Sequence, residues 1–375
     1  MAFSPTIQST LTRHQTVINE ALHAAIARTR ANNDNQQDVD LQPYYGQIEY
    51  HLGWVDSHLV PVANHPGKLL RPTLLLLAYE AAGAWNLIDQ AQTHQTDYLR
   101  RALPAAVAVE LTHNFTLIHD DIEDGDAERR HRETLWKLWG IPQAINTGDG
   151  LFALARLTLW GVLDEGVEGS IAARLGAALD HACLVLSEGQ YLDISFESQP
   201  HIPVSIYIDM IGRKTAALMG CAAEMGAMLG TLDQETIQRL RSFGYAMGVA
   251  FQVRDDLLGV WASTAELGKT PAGDIYRRKK SLPFLHALEH ANAHDQHILR
   301  SIYQQDTPIT QAQVNEVLTV FEHTSTNAYC RSFLAQQCQL AYQALASVPR
   351  TNNPIAARAL NDLKTLVHFV EAATH

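Results

Sequence analysis

The sequence predicts an all-α protein, one large bundle of helices. Apolar residues recur at three- and four-residue spacing through most of the chain, and the period-two alternation that strands need is scarce. Neither an internal repeat nor a Gly/Ser- or Pro-rich linker divides the middle. At 375 residues and 46% hydrophobic side chains, the chain can bury a large core. Residues 1–375 read as a single domain, with a peripheral N-terminal helix and loop over 1–43, a core over 44–345 and a C-terminal helix over 346–375.

Taken in order, Ile7, Leu11, Val17, Ile18, Leu22 and Ile26 predict a helix over 6–30, ended by the polar stretch 32–38. The pattern resumes at Tyr44, runs through Trp54 to Leu59, and is interrupted by Pro61, Pro66 and Gly67. The run from Gly67 to Pro72 then opens an apolar segment reaching Ala84; Pro72 suits a first helical turn, where its missing N–H is not needed. Residues 86–101 are polar and read as a loop. Further helices are predicted over 104–122, 144–163, 169–195, 207–230, 236–260, 281–291, 311–345 and 354–373. The most apolar run, 215–232, is rich in Ala, Gly and Met and carries Glu224, which fits a buried helix and not a membrane span.

Composition narrows the function. With 28 basic and 40 acidic side chains, the formal charge of −12 argues against a nucleic-acid partner. It is compatible with a polyanionic substrate bridged to carboxylates by divalent cations. Cys183, Cys221, Cys330 and Cys338 form no CxxC pair, which predicts free thiols in a reducing, cytoplasmic setting. Residues 1–13 lack the basic and apolar regions of a signal peptide.

The densest chemistry lies between Glu110 and Arg130. With ~3.6 residues per helical turn, Asp120 and Asp124 stack on one face with Asp121 beside them. Glu123 and Asp126 add to the charge. Like charges at this spacing destabilise a helix, so a cation is expected there: Arg side chains or a metal. Hard oxygens without Cys or paired His suit Mg²⁺ completed by water and substrate phosphate. A solvated acidic turn is the competing reading. A second pair, Asp255 and Asp256, ends the helix predicted over 236–260, where the helix dipole disfavours anions. Lys68, Arg71, Arg129, Arg130, Lys214, Lys269 and Lys279 stand near turns or beside these acids, as phosphate contacts do.

From about Tyr44 to Leu288 the sequence resembles the trans-isoprenyl (polyprenyl) diphosphate synthases. Six motifs occur in the family's order: GKxxRP at 67–72, DDxxD with a trailing RR at 120–130, GQ at 189–190, KT at 214–215, FQxxDD at 251–256, and GK, GD and KK within 268–280. The resemblance implies the isoprenoid synthase fold, a helical bundle around a deep central cavity, and probes of function follow residue by residue. Asp120, Asp121 and Asp124 would hold two Mg²⁺ and Asp255 a third, supported by Asp256. Arg129, Lys214 and Lys269, with Lys279 nearby, would bind an allylic diphosphate; Lys68, Arg71, His113 and Arg130 would bind isopentenyl diphosphate; Phe251, Gln252 and Thr215 would line the reacting centre. A homodimer is also implied. Phe115 and Thr116, five and four positions before Asp120, would set chain length, and one aromatic at the farther position matches the pattern for geranylgeranyl diphosphate (C20). Farnesyl diphosphate (C15) or a longer chain is the alternative.

The chain departs from the family pattern in places. Pro66 and Leu69 replace Gly and Arg, Glu123 crowds the first cluster, and His131 replaces the Gly after the Arg pair. Gly259 replaces the last Asp of the second motif, which predicts a weaker third metal site. A class I terpene cyclase would lack the second Asp pair and the isopentenyl diphosphate site, and a non-catalytic subunit would lose carboxylates; this sequence keeps all of them. The sequon at Asn114 falls in a predicted core helix and is read as accidental. His290, His294 and His297 are read as an exposed polar helix side and not a metal site.

Overall fold

Where periodicity predicts one helix over 6–30, the computed structural model, which describes residues 5–33, 40–62, 67–84, 97–262 and 272–372, has two. They are α1 (Pro5–Thr12) and α2 (Gln15–Asn33). The break falls at Arg13 and His14, whose side chains both bond the buried Glu80 carboxylate, so a tertiary ion pair overrides local propensity. After α3 (Gln42–His51) the predicted helical continuation to Leu59 is instead a turn closed by a bridge between Val55 and Pro61. α4 (Leu70–Ala82) holds Pro72 in its first turn, as expected. A short 3₁₀ turn (Asp97–Arg101) leads into α5 (Leu103–Glu123).

A hairpin then follows, β1 (Glu128–Arg129) paired antiparallel with β2 (Arg132–Glu133), too short to leave any alternation in the sequence. Beyond it come α6 (Leu135–Trp139), α7 (Ile141–Trp160), α8 (Gly169–Glu197) and α9 (Val204–Ile211). A π-turn (Gly212–Ala216) joins α9 to α10 (Ala217–Gly230), and α11 (Gln234–Trp261) follows. The chain ends through α12 (Gly273–Tyr276), α13 (Leu282–His290), α14 (Ala293–Gln304), α15 (Gln311–His323), α16 (Thr326–Ala346) and α17 (Pro354–Glu371).

Two of these differ from expectation. The single helix predicted over 311–345 breaks before α16, where Thr324 Oγ1 bonds back to the Val320 carbonyl and Ser325 takes φ +53°. α14 escapes the sequence reading because its buried apolar stripe is only Leu299 and Ile302. A separate break at Ala291 and Asn292 places His290 on α13 and His294 and His297 on α14; all three are exposed.

The core runs along α4 and α10, each of which packs on both α5 and α11. Leu74, Leu75, Leu76 and Leu77 are fully buried, worth about 1.5–3 kcal/mol each. The α4–α10 approach is close enough that a Cβ at Gly226 would lie 2.1 Å from the Leu75 carbonyl oxygen. This packing fixes the C-terminal ends of α5 and α11, where the two acidic motifs lie. α10 is the buried helix expected over the most apolar run. Among the described residues one helix, α8, is long and apolar enough by composition to cross a membrane, with a mean hydropathy of 1.3 and a third of that window buried.

Candidate active site

At the end of α5 the carboxylates crowd. Asp124 caps the helix, its N–H donating to the Asp120 carbonyl at 2.8 Å. Burial pushes the Asp120 carboxyl up to about 7; Lys214 and Arg129 oppose the shift while Asp124 and Glu123 add to it. Asp121 is 2% exposed and accepts from Arg129 Nε at 2.6 Å. Burial still carries it up to about 6 against that guanidinium. Burial raises Asp124 as well, with Lys214 opposing. Glu123, the extra acid, accepts from Gln190 Nε2 at 2.7 Å, which ties the cluster to α8.

The hairpin aims the arginines. Arg130 and His131 sit at its turn with φ +53° and +62°, so His131 occupies a left-handed position that glycine adopts without strain. Arg132 anchors the hairpin through the carbonyls of Tyr50 (3.0 Å) and Val55 (2.6 Å), and Thr134 Oγ1 and Trp136 Nε1 each donate to the Asp126 carbonyl at 2.8 Å. A cavity of about 440 Å³ opens here, lined among others by His51, Asp121, Arg129 and Arg130.

One turn deeper lies a cationic pocket. Arg71 Nε is buried without a hydrogen-bond partner, and Glu110 and Asp120 are the acids its charge feels. Arg130 stands beside Gly67, where a Cβ would come within 3.1 Å of its guanidinium, and its charge reaches Lys68 and His113. Burial, then Arg71 and Arg130, hold His113 well below its ordinary pKa, so the ring is neutral. Burial and the same arginine push His51 down to about 3. The structure thus brings Lys68, Arg71, His113 and Arg130 together. Glu110 and His51 belong with them and were missed, having no motif of their own.

The π-turn presents Lys214 and Thr215. It lies so close to α8 that a Cβ at Gly189 would meet the Lys214 backbone nitrogen at 2.3 Å, which explains the glycine of the GQ pair. Burial works against the Lys214 ammonium, but Asp193 at 2.5 Å, with Asp120 and Asp124, outweighs it and raises its pKa. Asp193 was also missed; its signal was its place one turn after Gln190.

On α11, Thr215 Oγ1 donates to Gln252 Oε1 at 3.2 Å and Gln252 Nε2 donates to Asp256 Oδ1 at 3.2 Å. Asp256 is fully buried and also accepts from Tyr207 OH (2.6 Å) and the Leu282 N–H (3.3 Å), with Lys279 Nζ at 3.6 Å. Those partners take up its oxygens, where the sequence had offered Asp256 beside Asp255 at the third metal. Asp255 is the acid on offer, with its side chain 56% exposed. Lys279 is thereby occupied by Asp256 and Asp274. Lys269 lies outside the described residues. Phe251 faces Arg254, 5.8 Å from its ring centroid.

The gap expected at Gly259 is filled from elsewhere. A Cβ at that position would lie 2.2 Å from Oδ2 of Asp274, a 4% exposed acid on α12 held by Arg277 at 2.8 Å. The second motif's missing carboxylate is therefore replaced in space by the Asp of the GD pair. The sequence showed that pair but not its destination. Phe115 and Thr116 lie on α5 as expected, Phe115 edge-on to Phe152 of α7 at 5.2 Å and Thr116 buried. Asn114 is buried and donates to the Glu110 carbonyl, which closes it to glycosylation.

Comparison with known proteins agrees with this geometry. A family model described as polyprenyl synthetase matches residues 53–321. A geranylgeranyl diphosphate synthase of Mycobacterium tuberculosis is 35% identical over 319 residues, covering 85% of this chain and 86% of that one. A (2E,6E)-farnesyl diphosphate synthase of the same organism is 32% identical over 360 residues, covering 96% and 94%. The crystal structure of a polyprenyl synthetase from Streptomyces coelicolor superposes with a TM-score of 0.81 at 32% identity, covering 97% of this chain and 99% of that one.

Proposed function

This chain belongs to the polyprenyl synthetase family and is a trans-prenyl diphosphate synthase, a prenyltransferase, and from that premise we propose that it joins isopentenyl diphosphate to dimethylallyl, geranyl or farnesyl diphosphate and stops at C20. The observation that carries the reading is the juxtaposition of buried acids with two groups of cations: Asp120, Asp121 and Asp124 lie within reach of Lys214 or Arg129, Arg71 also feels Asp120, and Asp255 feels Lys68.

The donor set fits Mg²⁺. Hard oxygens raised by burial lack enough positive charge of their own, and among the described residues no three His, Cys, Asp or Glu side chains converge to cage an ion. Such a site suits ions whose shells are completed by a diphosphate. Asp120, Asp121 and Asp124 would hold two and Asp255 a third; when bound, they supply charge that stabilises the departing pyrophosphate. Lys214 and Arg129 grip the allylic diphosphate, and Lys68, Arg71 and Arg130 grip the isopentenyl one. Neutral His113 offers that second diphosphate a hydrogen bond without adding charge. The allylic C–O bond breaks, the second substrate's double bond forms the new C–C bond, and the proton lost from the adduct goes to pyrophosphate. No side-chain base is assigned. Thr215 and Gln252 hold polar groups beside the reacting carbons, and the apolar walls keep water from the cation.

A homodimer fits the surface. Leu157, Trp160 and Leu184 on α7 and α8 are 64%, 49% and 60% exposed around a groove of about 800 Å³, and Tyr191 on α8 is 72% exposed. An apolar face of this kind is the docking surface for a second copy and explains the composition of α8. The four cysteines are unpaired, which supports a reducing, cytoplasmic setting.

The test is product analysis after incubation with labelled isopentenyl diphosphate, each allylic starter and Mg²⁺. C20 is expected from wild type, longer products from Phe115→Ala, and C15 from Thr116→Phe. A wild-type product of C15, or a Phe115→Ala distribution that does not move, would overturn the chain-length reading.

A further inference from the structure

The two chain ends outside the motif-bearing core meet at the end of α11. Arg254 immediately precedes Asp255 and is 4% exposed, too buried to reach a bound substrate. Its guanidinium carbon lies 4.6 Å from the ring centroid of Phe369 on α17, and its Nη1 stands 3.8 Å from Asp255 Oδ1. Beside this stack is a small apolar cavity lined by Ile7 and Leu11 of α1, Leu366 and Phe369 of α17, and by Phe251 and Lys68. Lys68 thus rests on the terminal helices while its charge is felt by Asp255 and Arg254.

Those helices are held in register by a buried ionic clamp. Thr10 Oγ1 donates to Asp362 Oδ1 at 3.0 Å, and Arg13 bridges Asp362 on α17 to Glu80 on α4. Glu80, wholly buried, also accepts from Tyr98 OH at 2.6 Å and faces His14 Nε2 at 3.2 Å. Plain apolar packing would attach a helix at lower desolvation cost; a polar clamp sets where the helix sits.

We infer that α1 and α17 form a positioning shelf for the site, on which Phe369 holds Arg254 so that it orients Asp255, while the adjoining apolar surface places Lys68. Arg254 and Phe369 are positioning residues. The inference rests on the reading of Asp255 as a cation ligand and Lys68 as a phosphate contact.

The test replaces the ring face and keeps most of the volume. Phe369→Leu and Arg254→Lys are compared with wild type and Phe369→Trp in two measurements. One is the rise in thermal midpoint on adding Mg²⁺ with inorganic pyrophosphate. The other is KM for isopentenyl diphosphate against KM for the allylic substrate. Loss of a cation–π contact predicts that Phe369→Leu needs about three- to tenfold more Mg²⁺ for half the midpoint rise and raises KM for isopentenyl diphosphate similarly. At saturating Mg²⁺ the allylic KM moves less than about twofold, and Phe369→Trp restores both values. Should Phe369→Leu fail to fold, Arg254→Lys, which keeps the charge and loses the planar stack, carries the same expectation. Variants that lower the midpoint but leave the Mg²⁺ requirement and both KM values unchanged would overturn the inference, because the shelf would then be only structural. If wild type forms no prenyl product yet Phe369→Leu still shifts the Mg²⁺–pyrophosphate response, the condensation reading fails and the shelf stands.

Discussion

At the end of α5, Asp120 and Asp124 lie near Lys214 and Arg129, and burial still raises both carboxyls. At the end of α11, Asp256 is enclosed by Tyr207, Gln252, Lys279 and the Leu282 amide, and one acid, Asp255, is left exposed. The two motifs look alike in sequence, as pairs of aspartates at helix C-termini, and do different work. In the first, burial raises the carboxyls against the nearby cations, and in the function proposed above that charge awaits cations that arrive with a diphosphate. The second encloses Asp256 among groups from α9, α11, α13 and the segment after α12, and leaves Asp255 exposed. An acidic pair in a sequence therefore says little until the supply of internal cations around each oxygen is known.

The comparison can be broken by substitution. The largest effect is expected from Asp120→Asn, which should lower turnover by about a hundredfold or more, since an electrostatic contact made to the developing charge is lost. Steady-state assay at saturating Mg²⁺ checks this, and near-normal turnover would remove Asp120 from the site. Asp256→Ala should act on the fold. It leaves Tyr207 and Gln252 unsatisfied and Lys279 short of a buried partner, at a cost of about 3–5 kcal/mol, read as a lower denaturant midpoint. A variant as stable as wild type would show that the partners of Asp256 do not hold the fold through it. Gly259→Asp, which family pattern alone would score as a repair, should instead destabilise by about 1–3 kcal/mol because the space is taken by Asp274. Adding Asp274→Gly in the same chain should recover most of the loss, and failure of that rescue would place the clash elsewhere.

The smallest effect is a pH dependence. Asp120 and Asp121 are raised to about 7 and about 6, so between the ordinary carboxylate range and neutrality the folded protein holds more protons than the unfolded chain. Stability of the metal-free protein from these groups is then highest at low pH and falls as pH rises through that window. Cation binding displaces the same protons and strengthens in the same direction. The rise in thermal midpoint produced by Mg²⁺ with pyrophosphate should be slight near pH 5 and should grow toward pH 8; a constant rise would contradict the raised carboxyls.

Much of this was legible in the sequence because the informative residues are contiguous. The spacing of Asp120, Asp121 and Asp124, the Pro72 start of α4 and the burial of α10 follow from periodicity and turn chemistry alone. What stayed hidden depends on residues distant in sequence. Asp193 pairs with Lys214 only because Gly189 lets the π-turn approach α8. Asp274 reaches the vacancy at Gly259 from a different helix, and Glu80 breaks the first helix by drawing Arg13 and His14 to itself. Helix periodicity records which face is buried; it does not record which charge on that face finds a partner.

The central claim, that the α5 acids Asp120 and Asp124 keep their carboxylates for cations from outside while Asp256 on α11 is enclosed by hydrogen-bond partners within the protein, is tested most directly by the metal-free thermal midpoint of Asp120→Asn beside that of Asp256→Asn, measured near pH 8 in chelator. Removing a stored charge should raise the first midpoint above wild type, and removing a satisfied one should lower the second well below it. If Asp120→Asn instead loses stability to the same extent as Asp256→Asn, the α5 carboxylates already have their partners within the protein and the account is wrong.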